Sequence, residues 1–264
     1  MIGRLSRRDV LAIMAGAGVI LDGKSMAASL TPEFDPLAPT KLVQSDHPDI
    51  IALVRRVAPD DLPPAEKATR IFNFVRDEIK FGFGPRFYDH TASQIAALRR
   101  GYCNTKGTLI VAMLRAAGIP ARQVFVDIDA SILFGIVDPG TPFVDHSYVE
   151  IRLGHKWVAT DAYIVDSKLF TAAQRRLTAE GKSLGYGVHS FGTMVFDQTG
   201  PHFSQFVAAK VPALTTRNYG VHADVEAFYE ATPETWNRLT LLTRLAFPVF
   251  AASANRNAEN IRNT

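Results

Sequence analysis

Apolar positions recur along this chain with two different periods, and the change of period lays out the fold. In PPAEKATRIFNFVRDEIKF, residues 63–81, Ile71, Val75 and Ile79 stand four apart and share one helix face, with the prolines at the helix start. TASQIAALRRG, residues 91–101, reads as a shorter helix with Thr91 or Ser93 as N-cap and Gly101 as its stop. In CNTKGTLIVAMLRAAGIP, residues 103–120, Leu109, Ile110, Val111, Met113 and Leu114 surround the helix almost completely. A helix apolar on all sides is buried, so the stretch from about Asn104 to Ala117 is predicted to be central, with its N-terminal end emerging at a surface. Gly118 suits the C′ position, and Pro120 prevents continuation.

The period then drops to two. ARQVFVDID, residues 121–129, sets Val124, Val126 and Ile128 against polar neighbours, as a strand does. VDHSYVEIRLGHKWVATDAYIVD, residues 144–166, carries two β-rich runs around Gly154-His155, a plausible two-residue hairpin turn. If Leu153 pairs with Lys156, Tyr148 lies opposite Asp161 and His146 opposite Tyr163. Paired residues share a face, so His146 and Asp161 become diagonal neighbours within reach of each other. A slip of one residue would separate them. By the same alternation Asp145 points away from His146.

The flanks are less regular. Residues 28–62 read as an extended, proline-rich N-terminal arm, and residues 63–166 as the core. Residues 167–264 form a mainly helical extension. SLGYGVHSFGTMVFDQTGPHFSQF, residues 183–206, is rich in glycine and aromatics and suits either a lid or ordinary packing. Residues 224–252 read as two helices broken at Pro233, with Pro248 expected to stop or kink the second, and the polar tail 253–264 is expected to fray.

Residues 1–27 have the plan of an export signal: Arg4, Arg7 and Arg8, an apolar run from Val10 to Leu21, then Ser25 and Ala27 before an expected cleavage point. The apolar run is well short of the roughly 20 residues that span a bilayer, so no stable membrane span is expected. SRRDVLA resembles a twin-arginine motif, but lacks its usual phenylalanine and following lysine. A periplasmic or secreted location is the expectation. The segment holds four Lys/Arg and two Asp, so its removal takes net charge from +3 to +1. The basic balance therefore gives no argument for nucleic-acid binding, and no basic stripe interleaved with aromatics appears.

Chemistry enters with Cys103, the single cysteine of 264 residues. One thiol excludes an internal disulfide and any cysteine-rich zinc module. The histidines show no metal-ligand spacing, so neither a metal nor another cofactor is expected. At a helix start a thiolate gains from unpaired N–H groups and the helix dipole, which predicts a lowered thiol pKa. A histidine accepts the thiol proton, and a carboxylate fixes the imidazole tautomer. Cys103, His146 and Asp161 supply the three groups, with the sulfur expected within about 4 Å of an imidazole nitrogen. Tyr102 and Asn104 flank the nucleophile as candidate substrate-binding residues.

GYCNTKGTLIVAMLRAAGIPAR, then DHSYVEI, then KWVATDA, taken in order, resemble the core of the transglutaminase-like superfamily, over about residues 65–165. The resemblance implies an α+β, papain-like fold with the cysteine helix packed on an antiparallel sheet. It also implies Cys103 as nucleophile, His146 as general base and Asp161 as orienter. Related sites use an upstream glutamine for the oxyanion; Gln94 is the candidate here, beside the backbone N–H of Cys103. The expected substrate is a peptide or amide, with hydrolysis preferred over acyl transfer and no protein partner named. The alternative is a catalytically silent binding or assembly domain, which the superfamily also contains.

Overall fold

The computed structural model describes residues 34–207, 217–233 and 241–264; the expected export signal lies outside them. Helices α1 (Pro48–Val57), α2 (Pro64–Glu78) and α3 (Ala92–Leu98) precede α4 (Cys103–Ala116), and all three pack on it. Strands β3 (Ala121–Asp129), β4 (Phe143–Leu153), β5 (Lys156–Thr160) and β8 (Asn218–His222) form an antiparallel sheet in the order β5-β4-β3-β8. Two short pairs complete the strands: β1 (Lys80–Phe81) with β2 (Arg100–Gly101), and β6 (Leu184–Gly185) with β7 (Val188–His189). Helices α5 (Ser167–Glu180), α6 (Val225–Ala231) and α7 (Leu241–Arg262) belong to the extension. The class is α+β, with a core of helices packed on an antiparallel sheet and a helical C-terminal segment.

The cysteine helix is central, with Leu109, Ile110, Val111, Met113 and Leu114 buried around it. Every residue of α4 from Cys103 to Arg115 is buried, between the other helices and strands β3 and β4. Burying one of its large aliphatic side chains contributes roughly 1.5–3 kcal/mol. Gly118 (φ +76°) turns the chain out of the helix, in the left-handed region a side chain would resist. Gly154 (φ +61°) makes the hairpin turn, and Leu153 pairs with Lys156 in the register that brings His146 and Asp161 to one face.

Lys106 and Arg115 are both buried cations on this helix. Lys106 Nζ donates to the carbonyls of Arg76 (3.2 Å) and Ile79 (2.5 Å), closing the C-terminal end of α2. Burial pushes its pKa down to about 7, against the attraction of Asp166 and Asp77.

Several expectations change. The N-terminal arm is not extended throughout: Ile50, Leu53 and Val54 recur at helical spacing, and α1 buries them. Helix α3 ends before Gly101, at Arg99 (φ +53°), because Arg100 and Gly101 pair with Lys80 and Phe81. Pro248 does not stop α7, which contains it. The tail does not fray. Helix α7 runs to Arg262 and buries Ala254, Ala258 and Ile261. Arg262 makes a buried bidentate pair with Asp166 (Nε–Oδ1 3.0 Å, Nη2–Oδ2 2.7 Å) and donates to the Phe81 carbonyl. The fork geometry satisfies both charges at once, and Asp166 also takes the N–H of Phe81 and caps α5 through Leu169.

Candidate active site

Three elements carry the candidate residues, two of which border one small cavity. Cys103 opens α4, His146 stands on β4, and Asp161 follows directly on β5. His146 Nε2 lies 3.0 Å from Asp161 Oδ2, and both residues are buried. A carboxylate only accepts, so Nε2 carries the proton and Nδ1 keeps its lone pair. Among the described residues, no hydrogen bond to Nδ1 is formed. His146 and Cys103 border the same cavity of about 60 Å³, walled by Phe81, Phe83, Phe87, Val144 and Phe250.

The sulfur has a hydrogen-bond partner on its own helix. Its hydrogen bond runs to Asn104 Oδ1 at 3.7 Å, and none joins it to His146 among the described residues. Burial pushes the Cys103 thiol well above its ordinary value, and the Asp145 carboxylate pushes it further. The N–H groups of Ser147 and Asn104 offset only part of this. The resting group is a neutral thiol, and the lowered pKa expected from the helix start is not found. A helix end favours an anion, but complete desolvation costs more.

Two carboxylates flank the pair and titrate in opposite directions. Burial raises Asp161, but the hydrogen bond from His146 and the N–H groups of Ser204 and Phe206 outweigh it, leaving the carboxyl below its ordinary value. Asp145 has fewer donors. Burial raises it, and hydrogen bonds from Tyr229 and Asn104 recover only part. Asp145 points away from His146, as alternation requires, and this direction sets it against the cysteine helix. Its Oδ2 accepts from Asn104 Nδ2 and from the Tyr229 hydroxyl, each at 2.7 Å.

Tyr102 and Asn104 are both buried beside the sulfur. Tyr102 lines the cavity and stacks on Phe83 and Phe87, with ring centroids at 5.1 and 5.7 Å. Asn104 serves Asp145 and Tyr229 rather than the open cavity. Gln94 is a correction. It is exposed, and its side-chain oxygen accepts from the Thr91 N–H at 3.1 Å and from Arg86, so it caps α3 instead of reaching the cavity. Sequence reasoning missed Tyr229 and the loop at Ser204–Phe206, whose contribution is largely backbone and leaves no residue-type signal. Among the described residues, no cluster of His, Cys, Asp or Glu is arranged to hold a metal ion, and no helix is long and apolar enough to cross a membrane.

The model of the transglutaminase-like superfamily matches residues 51–162. Over that span the chain is similar to the superfamily's core. The matched span contains Cys103, His146 and Asp161 and supports a thiol-dependent enzyme in general terms. The solved structure of a candidate cysteine protease from Cytophaga hutchinsonii is similar to it at 21% identity, with a TM-score of 0.38. That likeness covers 47% of this chain and 39% of the other, so the chain spans well under half of that protein's length. No curated protein matches the chain. Beyond the transglutaminase-like core, Gln205, Tyr229 and Phe250 all reach the site from the extension.

Proposed function

We propose that the chain is an exported thiol hydrolase that cleaves an amide or peptide bond through an acyl-enzyme on Cys103. The observation carrying this reading is the buried His146–Asp161 pair, whose bonding leaves Nδ1 available in the cavity that Cys103 also borders. Because the resting thiol is neutral, proton transfer accompanies attack. Nδ1 takes the thiol proton as sulfur bonds to the substrate carbonyl carbon, and the carbonyl oxygen becomes an oxyanion facing the Cys103 N–H. The imidazolium, held by ionised Asp161, returns the proton to the leaving amine as the C–N bond breaks. Water then gives a proton to Nδ1, attacks the thioester and releases the acid, with the proton returning to sulfur. Export favours water over an amine as the second acceptor, which is the ground for preferring hydrolysis.

A silent binding domain is the second reading, favoured by two observations: the raised thiol and a cavity that leaves Cys103 only 7% and His146 1% exposed. Iodoacetamide labelling separates the two. At pH 6 an ordinary thiol is only about 0.3% thiolate, so labelling faster than in the unfolded chain requires help from His146. The hydrolase reading expects such labelling in the wild type and its loss in His146→Ala. Equal, slow labelling of folded wild type and unfolded control overturns it. Export is tested separately, by a reporter fused after residue 35. Changing Arg7 and Arg8 together to lysine should retain the reporter if the twin-arginine route is used.

A further inference from the structure

Resting on the hydrolase reading, we infer that residues 204–206 are positioning residues, with the Ser204 hydroxyl fixing the Asp161 carboxylate and, through it, the ring of His146. Asp161 Oδ1 accepts the Ser204 N–H, the Ser204 hydroxyl at 3.1 Å and the Gln205 N–H at 3.2 Å. Oδ2 accepts the Phe206 N–H at 2.6 Å and the Gln205 N–H at 3.2 Å, together with His146 Nε2 at 3.0 Å. Three successive N–H groups turned on one point form a concave anion site. Within it both carboxylate oxygens are held, so the direction in which Oδ2 faces His146 is set from outside the imidazole.

The loop is itself held. The Ser204 carbonyl accepts the His189 N–H at 3.0 Å, and Gln205 Nε2 donates to the Gly187 carbonyl at 2.7 Å. On its other side the Asp161 N–H donates to the His202 carbonyl at 3.2 Å, and the Phe206 ring packs on Tyr148 at 5.2 Å. Ser204 is fully buried, so its hydroxyl has no water to fall back on. The cradle admits only acceptors. A carboxamide at position 161 would turn an NH₂ against N–H donors, so Asp161→Asn should damage the site more than loss of charge alone would. All three residues lie outside the superfamily match at 51–162, and the core therefore depends on the extension to orient its base.

The test uses the full chain with iodoacetamide as probe from pH 5 to 9, comparing wild type, His146→Ala, Ser204→Ala and Ser204→Thr. The expected result is a loss of about tenfold in His146-dependent labelling at pH 6 for Ser204→Ala, the equivalent of one hydrogen bond to a charged group. Ser204→Thr, which keeps the hydroxyl, should label within about twofold of wild type, and the Nε2–H proton resonance of His146 should move in Ser204→Ala alone. Loss of labelling in His146→Ala with Ser204→Ala unchanged in rate, pH profile and resonance overturns this inference and leaves the hydrolase reading standing. No effect of His146→Ala overturns the hydrolase reading itself and this inference with it. A measurement on wild type covers variants that do not fold: the Asp161 Cγ resonance should show an ionised carboxylate at pH 4. Protonation at or above the ordinary value near 3.9 overturns the inference.

Discussion

The core at residues 51–162 and the extension after it bury similar groups for different ends. Lys106 in the core and Arg262 in the extension are buried cations with different partners. Lys106, in the core, meets only backbone carbonyls, and its charge is weakened to a pKa of about 7. Arg262, in the extension, meets the carboxylate of Asp166, and that hydrogen bond and charge, opposing burial, hold it above its ordinary value. The contrast recurs at the site. Cys103, His146 and Asp161 come from the core, whereas the donors around Asp161, the hydroxyl on Asp145 and the Phe250 wall come from the extension. The core supplies the candidate thiol, imidazole and carboxylate, and the extension supplies donors to Asp161 and part of the cavity wall.

The largest expected effect follows from removing Arg262, which also reaches the core by donating to the Phe81 carbonyl. Arg262→Ala leaves Asp166 buried without its partner, which costs roughly 3–5 kcal/mol. Urea unfolding should show the loss as a lower midpoint, and Arg262→Lys should recover only part of it, because an ammonium cannot match the bidentate geometry. A midpoint unchanged in Arg262→Ala would mean that the extension merely leans on the core.

Lys106 sharpens the comparison through pH. In the unfolded chain a lysine keeps its proton up to about 10.4, whereas the folded protein has lost the Lys106 proton above about 7. Between these values the unfolded state binds more protons, so stability rises with pH. Taking 1.36 kcal/mol per pH unit, the gain from pH 7 to 9.5 is about 3 kcal/mol from this group alone. Nothing comparable is expected from Arg262, which stays charged throughout. Unfolding measured across that window should rise for wild type and flatten for Lys106→Met. A wild-type curve as flat as that of the variant would show that Lys106 stays charged.

Phe250 tests the cover. Its ring lies 5.3 Å from Phe83 and 5.4 Å from Phe247, closing the cavity over Cys103. Phe250→Ala should speed iodoacetamide labelling by about tenfold, or about 1.4 kcal/mol of opening, without moving its pH profile. An unchanged rate would place the route to the thiol elsewhere.

What could be read from the sequence follows the same division. The cysteine helix and the hairpin were legible because local period and a glycine turn determine them, and the hairpin register carried His146 to Asp161. Asp145 was legible in direction but not in consequence, since what lies on that side of β4 is settled by packing. Arg262 sat in a tail whose polarity suggested solvent, and its partner Asp166 is 96 residues away. The Ser204–Phe206 cradle was least visible of all, because three of its four donor groups are backbone N–H, which every residue but proline possesses.

The smallest effect expected is at Gln94, and it separates a helix cap from a site residue. The Gln94 side chain closes the first turn of α3 onto Thr91 and also meets Arg86, both at the surface. Gln94→Ala removes one half of a capping box, leaving the Thr91 side of it in place, and costs about 0.5–1 kcal/mol. The loss should appear in urea unfolding alone. Labelling of Cys103 at pH 6 should stay within about twofold of wild type, because nothing at the cavity changes when an exposed cap is lost. A tenfold fall in labelling with stability unchanged would reverse the assignment. It would mean that Gln94 leaves its cap to reach the reacting carbonyl, and that the core, without the extension, supplies the second oxyanion donor.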